Sequence, residues 1–181
     1  MASELHVDAI KHSGGTSALT IDSSGSVHGA GLTLQTVQAL KTDVFSTSST
    51  SFTDITGLSV NITPKFSTSK MLVLFNVAVG RNAGSQCTIQ LVRQVGGSDT
   101  IINPVAYNQG TAMTFNGSSD AGWDRELISY QVLDAPSTAS TVNYRLRTYF
   151  YSSSYIMYVN CCHNSSDATG TSALTVQEIA Q

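Results

Sequence analysis

The residues closest to a reaction centre are Asp120, Asp124 and Asp134, which flank Trp123. Two carboxylates beside an aromatic ring are the equipment of glycoside hydrolysis, one as acid and the other as base or nucleophile. The same set can hold a sugar without cleaving it, with the indole stacked on the pyranose. It can also do no more than cap the turns before a strand, because Asp bonds readily to nearby backbone amides. Sequence alone leaves all three readings open. For a chain that contacts glycan, the loops of residues 96–124 and the trio Asp120, Trp123 and Asp124 are the expected contacts.

Other patterns that carry chemistry are missing from the sequence. Serines abound, yet no Gly-x-Ser-x-Gly elbow occurs. His6, His12, His28 and His163 share no strand face, and metal ligation needs convergence with carboxylates or thiolates. Cys87, Cys161 and Cys162 are odd in number and lack a CxxC, which argues against a disulfide framework and a zinc site. Each reads as a small buried apolar side chain. Asp99, Asp120 and Asp124 do not keep calcium-loop spacing. With no phosphate loop or dinucleotide fingerprint either, the expectation is no enzyme, no metal and no cofactor. A net charge of −3 leaves no electrostatic footprint for nucleic acid. No stretch reaches the length of a membrane span.

One aromatic concentration remains: Tyr144, Tyr149, Tyr151, Tyr155 and Tyr158. Tyr149 and Tyr151 share a strand face with Arg145 and Arg147, and Tyr with Arg is the composition of interfaces. The plain alternative is a row of strand residues half-buried at a sheet edge.

The elements that must carry these residues are strands. Lys70–Gly80 is the most apolar run in the chain. Read with period two, Met71, Val73, Phe75, Val77 and Val79 form one face, and Leu72, Leu74, Asn76 and Ala78 the other. Both faces are largely greasy, so both need a cover. One cover is a second sheet of the same chain; the other is expected to be another copy. Alternating runs recur at Leu58–Ile62, Cys87–Val95, Arg125–Leu133, Val142–Phe150, Tyr155–Val159 and Ala173–Ile179, with turn residues between. Phe52–Ile55, Ile101–Ile102 and Met113–Phe115 are shorter. Leu32–Lys41 mixes helical spacing with strand-forming Thr and Val, and reads best as an extended lead-in. Some eight to ten strands with no helix predict a sandwich, jelly roll or barrel.

Residues 1–35 differ from the rest. Three very short strands are expected, near Leu5–Ile10, Ala18–Asp22 and Ser26–His28, too small to bury a core alone. They read as an arm or short shaft, with residues 36–181 as the main domain. Residues 1–8 lack an apolar core, so no secretory signal is expected and the chain should be made and folded in cytosol. Only 12% of residues are charged while 41% are apolar. That balance suits short strands and polar loops in a particle-bound or extracellular setting. Gly15–Thr20 and Gly170–Thr175 share one hexapeptide, which is too little for a repeat architecture.

The segment Ser51–Pro64, with Ser69-Lys70 and the apolar strand after it, resembles a domain common in proteins of marine tailed phages. Asp134–Pro136, Thr141–Arg145 and Ala173–Gln181 fit the same pattern. Leu5–Lys11 followed by Ser13-Gly14-Gly15 is similar to the opening of phage fibre proteins. In layout the domain resembles the trimeric jelly rolls of the tumour necrosis factor and C1q-like group. The resemblance implies a homotrimeric virion protein assembled in the host cytoplasm, as a capsid decoration, head fibre or tail fibre. Residues 1–35 would join other virion proteins through Leu5, Val7, Leu19 and Ile21, and the head would contact a host surface glycan. Leu72, Leu74, Tyr149, Tyr151 and Leu174 would face neighbouring subunits, the terminal strand lying near the threefold axis. A cellular C1q-like module binding carbohydrate or protein, and a polysaccharide depolymerase, are the alternatives.

Overall fold

The computed structural model describes residues 6–21, 23, 25, 27–81, 86–104, 110–115, 125–150, 152–162 and 170–181. Every regular element among them is a strand. β1 (Ala9–Lys11), β2 (Ser17–Ile21) and β3 (Val27–His28) form a small antiparallel sheet in the order β1-β2-β3. Among the described residues the first strand thus starts at Ala9, with residues 6–8 ahead of it not in a strand; the expected start at Leu5 lies outside the described residues. The main domain follows as β4 (Thr33–Lys41), β5 (Phe45–Thr47), β6 (Thr53–Ile62), β7 (Lys70–Arg81), β8 (Gln86–Val95), β9 (Ser98–Ile101) and β10 (Ala112–Phe115). It ends with β11 (Arg125–Asp134), β12 (Val142–Phe150), β13 (Met157–Val159) and β14 (Ser172–Ile179). Thr33–Gln35 already belong to a full-length strand of the domain, so it begins a little before residue 36.

Two sheets face each other. The front sheet runs β4-β14-β7, with β11 also paired to β7, and the short β13 pairs with the last residues of β7 and carries β5 on its other edge. The back sheet runs β10-β8-β12-β6, with β9 also on β8. Four antiparallel pairs nest inside one another along the chain: β4 with β14, β6 with β12, β7 with β11, β8 with β10. That nesting makes the domain an all-β, jelly-roll-like sandwich.

The alternation read from sequence decides what fills the space between the sheets. Met71, Val73, Phe75, Val77 and Val79 of β7 are all buried. They meet Leu58, Val60 and Ile62 of β6, Ile89 and Leu91 of β8, and Val142, Tyr144 and Leu146 of β12. Each such side chain stabilises the fold by about 1.5–3 kcal/mol through removal from water. β6 joins two runs that read separately in the sequence. Ile55 and Leu58 both point inward although three residues apart, which a regular strand forbids. The pairing with β12 slips here: Ser59 lies opposite Arg145 but Asp54 opposite Arg147. Gly57 supplies the positive φ of 88° that this bulge needs. At the end of β7, Gly80 lets the backbone at Cys161 pass where any Cβ would strike its carbonyl oxygen.

Polar braces tie the layers. Arg93 of β8 grips Asp134 of β11 through both carboxylate oxygens at 2.7 and 2.9 Å, and the Tyr144 hydroxyl donates to the same carboxylate at 2.6 Å. Burial, reinforced by the Asp134 carboxylate, drives the Tyr144 hydroxyl pKa upward, so it remains a donor. The buried Glu178 carboxylate accepts from the backbone N–H groups of Lys65 and Phe66 and from Gln35 Nε2. It thereby fixes the turn that leads into β7. The small sheet is stitched to this end. Gly31 donates to the Ala180 carbonyl at 2.8 Å, and Ala180 donates to that of Leu32 at 2.9 Å.

Candidate functional site

The two outer faces of the sandwich are the candidate sites, and the strand registers define both. On the front sheet the outward residues fall into rows across the strands. Thr36, Gln177, Leu72 and Leu133 form one row, and Gln38, Thr175, Leu74 and Gln131 the next. Leu40, Ala173, Asn76 and Ser129 form the third, and Ala78 lies opposite Leu127 beyond them. None of these side chains is ionisable. Lys70, beside Ile179, stands only at the rim. The face is also greasy in places: Leu127 is 64% exposed, Leu40 61% and Leu133 50%. Between β7 and β11 it dips into a shallow depression of about 480 Å³ lined by Leu74, Phe75, Asn76, Ser129, Tyr130 and Gln131.

The back sheet presents the opposite chemistry. Arg145 and Arg147 stand two apart on β12, and each reaches two acids. Arg147 Nε donates to Asp54 Oδ1 at 2.7 Å, and Arg145 Nε to the same oxygen at 3.3 Å. Both Nη2 groups donate to Asp99 Oδ2, at 2.6 Å from Arg145 and 2.9 Å from Arg147. Gln94 holds the other Asp99 oxygen at 2.8 Å. The Arg145 hydrogen bond, above all, holds the Asp99 carboxyl below the usual carboxylate range. For Arg147, partial burial pulls its pKa down, but the bonds and charges of Asp54 and Asp99 outweigh it and raise it. Next along β12, the Tyr149 ring packs on Phe52 at 5.5 Å between centroids. Ser59, Asn61 and Asn143 continue the polar strip, with Asn143 Nδ2 donating to Ser59 at 2.8 Å and Asn61 at 2.9 Å.

The residues singled out from sequence land in different places. Leu72 and Leu74 are brought together on the uncharged front face, half-buried and pointing away from the core. Leu174 is not with them. It lies opposite Phe75 and shares its inward parity, so it is fully buried in the chain's own core. A subunit contact through the Leu174 side chain is therefore withdrawn; Ala173, Thr175, Gln177 and Ile179 are the outward residues of that strand. Tyr149 lies on the back sheet, away from Leu72 and Leu74, with Phe52 as its neighbour. Val7, Leu19 and Ile21 are half-buried in or beside the small sheet. Leu19 packs close to Gly29 and lines a groove of about 360 Å³ whose other wall carries Phe66, Thr68 and Ala180. Leu5, Asp120, Trp123, Asp124 and Tyr151 lie outside the described residues. Among the described residues no cluster of three His, Cys, Asp or Glu could hold a metal ion, and no helix is long and apolar enough to cross a membrane. Cys87, Cys161 and Cys162 are buried, and burial pushes the Cys87 thiol up to about 11 despite the nearby Arg81.

Sequence reasoning missed Asp54 and Asp99 as partners of the two arginines. The available signal was their scarcity. In a chain with 12 acids and nine Lys or Arg, an acid inside an alternating strand is worth matching to a base on another strand. It also passed over Leu127 and Leu133, although Ser129 and Gln131 between them on the same face of β11 carry no charge. No protein-family model matches the chain, and no curated protein matches it.

Proposed function

We propose that this chain is a structural, self-associating protein of a bacteriophage particle. In this reading it is a trimeric jelly roll that projects from the virion as a capsid decoration or fibre. The observation that carries the self-association is the front face. A monomer's surface normally intersperses charge, and a sheet face whose central rows carry no charge and expose three leucines favours a cover. A second copy of the chain suits it well. Identical copies bring no like-charge repulsion to such a face, and polar Thr, Gln, Asn and Ser can pair across it. The depression beside Leu74 offers room for a neighbour's side chain.

The particle context rests on the sequence resemblance to marine-phage domains and on the arrangement of the first 32 residues. Their small sheet stands at one end of the sandwich and keeps Ile10 (52% exposed) and Val27 (44%) at its surface. Those residues suit attachment to another virion protein, and copies clustered on a particle would turn weak surface contacts into avidity. Sedimentation of the purified chain tests the assembly; a trimer is expected, and a monomer at tens of micromolar removes the reading. Quantitative gel densitometry of purified particles tests the role. Hundreds of copies mark a decoration protein, tens a tail fibre, and none a protein with no place on the particle.

A further inference from the structure

We propose that the strip formed by Asp54, Arg147 and Tyr149 on the outer face of the back sheet binds a neutral saccharide. Four charged groups meet there, and their charges cancel: Arg145 and Arg147 against Asp54 and Asp99, all joined by contacts of 2.6–3.3 Å. A patch with no net charge has little long-range pull on either an anion or a cation, so a polyanionic or cationic ligand gains little. What remains is directional hydrogen bonding from groups already locked in place, which reduces the ordering cost of binding.

Two valences of that lattice are open. Among the described residues, Arg147 Nη1 and Asp54 Oδ2 make no hydrogen bond, while their side chains are clamped together at 2.7 Å through Nε and Oδ1. One is a pure donor and the other a pure acceptor. A hydroxyl group is both, and a pair of neighbouring hydroxyls can donate to Asp54 while accepting from Arg147. The groups are reachable: the Asp54 side chain is 57% exposed and that of Arg147 26%. Two residues along the same strand face, Tyr149 and its partner Phe52 supply aromatic surface. The C–H face of a pyranose stacks on such rings, and its edge hydroxyls then project along the strip. A flat apolar ligand would leave the charged valences unmatched, and a simple ion would have no use for the rings.

The proposal stands on the back face and draws on the proposed assembly only in that covering the front face leaves this one outward. Its test is therefore separate from the test of assembly. The purified chain is run in native gels containing dextran, yeast mannan, galactan or, as the anionic control, alginate. At least one neutral polymer should retard it, and the retardation should persist in salt. Asp54→Asn and Arg147→Ala should each weaken the apparent affinity by about tenfold, the effect of one charge-assisted hydrogen bond. Tyr149→Ala should weaken it as well. Asp54→Asn is nearly isosteric at an exposed position, so its melting temperature and sedimentation should match wild type. No retardation by any neutral polymer overturns the proposal. So does equal retardation of Asp54→Asn, or retardation by alginate alone that salt abolishes.

Discussion

The two outer faces of one sandwich are built from strands of similar length and alternation, yet they have become opposites. On the back face every arginine of β12 has found two carboxylates, and the polar atoms are tied into one lattice. On the front face the central rows of four strands expose Leu, Thr, Gln, Asn, Ser and Ala, with Lys70 at one rim. A lattice of paired charges is content in water, where each exposed pair contributes little net stability. An uncharged face with exposed leucines is content under a cover. The difference teaches that four paired charges lie on one side, while the central rows of the other, the proposed contact face, carry leucines and neutral polar groups.

The largest effect that would break this contrast is on assembly. Leu72→Asp with Leu74→Asp places two carboxylates on the front face without touching the core. If that face is covered in the proposed trimer, each buried unpaired charge costs several kcal/mol, and association should weaken by at least about 10⁴-fold. Sedimentation equilibrium reads this directly, and a trimer that survives both substitutions removes the assignment. Phe75→Ala, on the neighbouring position but facing inward, should instead lower folding stability by about 3–5 kcal/mol through lost burial and a cavity. Chemical denaturation would show it, and a loss below about 1 kcal/mol would mean the parity of β7 is wrong.

On the back face the expected effects are smaller. Arg147→Ala should cost at most about 1 kcal/mol of stability, because its partners are exposed and screened by solvent. It should leave the oligomer untouched. A finer reading comes from pH. Asp99 has a folded-state pKa below its unfolded value, so its contribution is present above the unfolded pKa, near pH 4, and is lost as pH falls through the folded value. Acid should thus loosen the back lattice in a thermal-melting series. The smallest effect is expected at the front. With no ionisable side chain in its central rows, the association constant should hold steady between about pH 5 and 9 and between low and high salt. A steep salt dependence would show that charge outside those rows carries the contact.

Much of the fold was legible because strand alternation is a local property. The inward set of β7 could be read from spacing alone, and so could the strands β8, β11, β12 and β14 to within a residue or so. Local reading failed where one element answers to another. Phe52–Ile55 and Leu58–Ile62 looked like two strands, since a bulge shows itself only against the partner β12. Leu174 looked like a contact residue because the resemblance put the last strand near an axis. Its side chain faces inward because the register with β7 sets it opposite Phe75. The candidate site was half legible. Arg145, Arg147 and Tyr149 share a face by spacing, but Asp54 is 91 and Asp99 46 residues from Arg145, and no local pattern links them.

By itself the sequence determined that the chain is all-β, that β7 must be covered on its inner side, and that charge is scarce. Those follow from period-two burial and from composition, which need no partner. Only the tertiary structure decided which acids meet which bases and which rows lie side by side. It also decided that Arg145, Arg147, Asp54 and Asp99 gather on one face. Long-range pairing of strands sets those relations, and each depends on register between segments that alternation alone leaves free to slide.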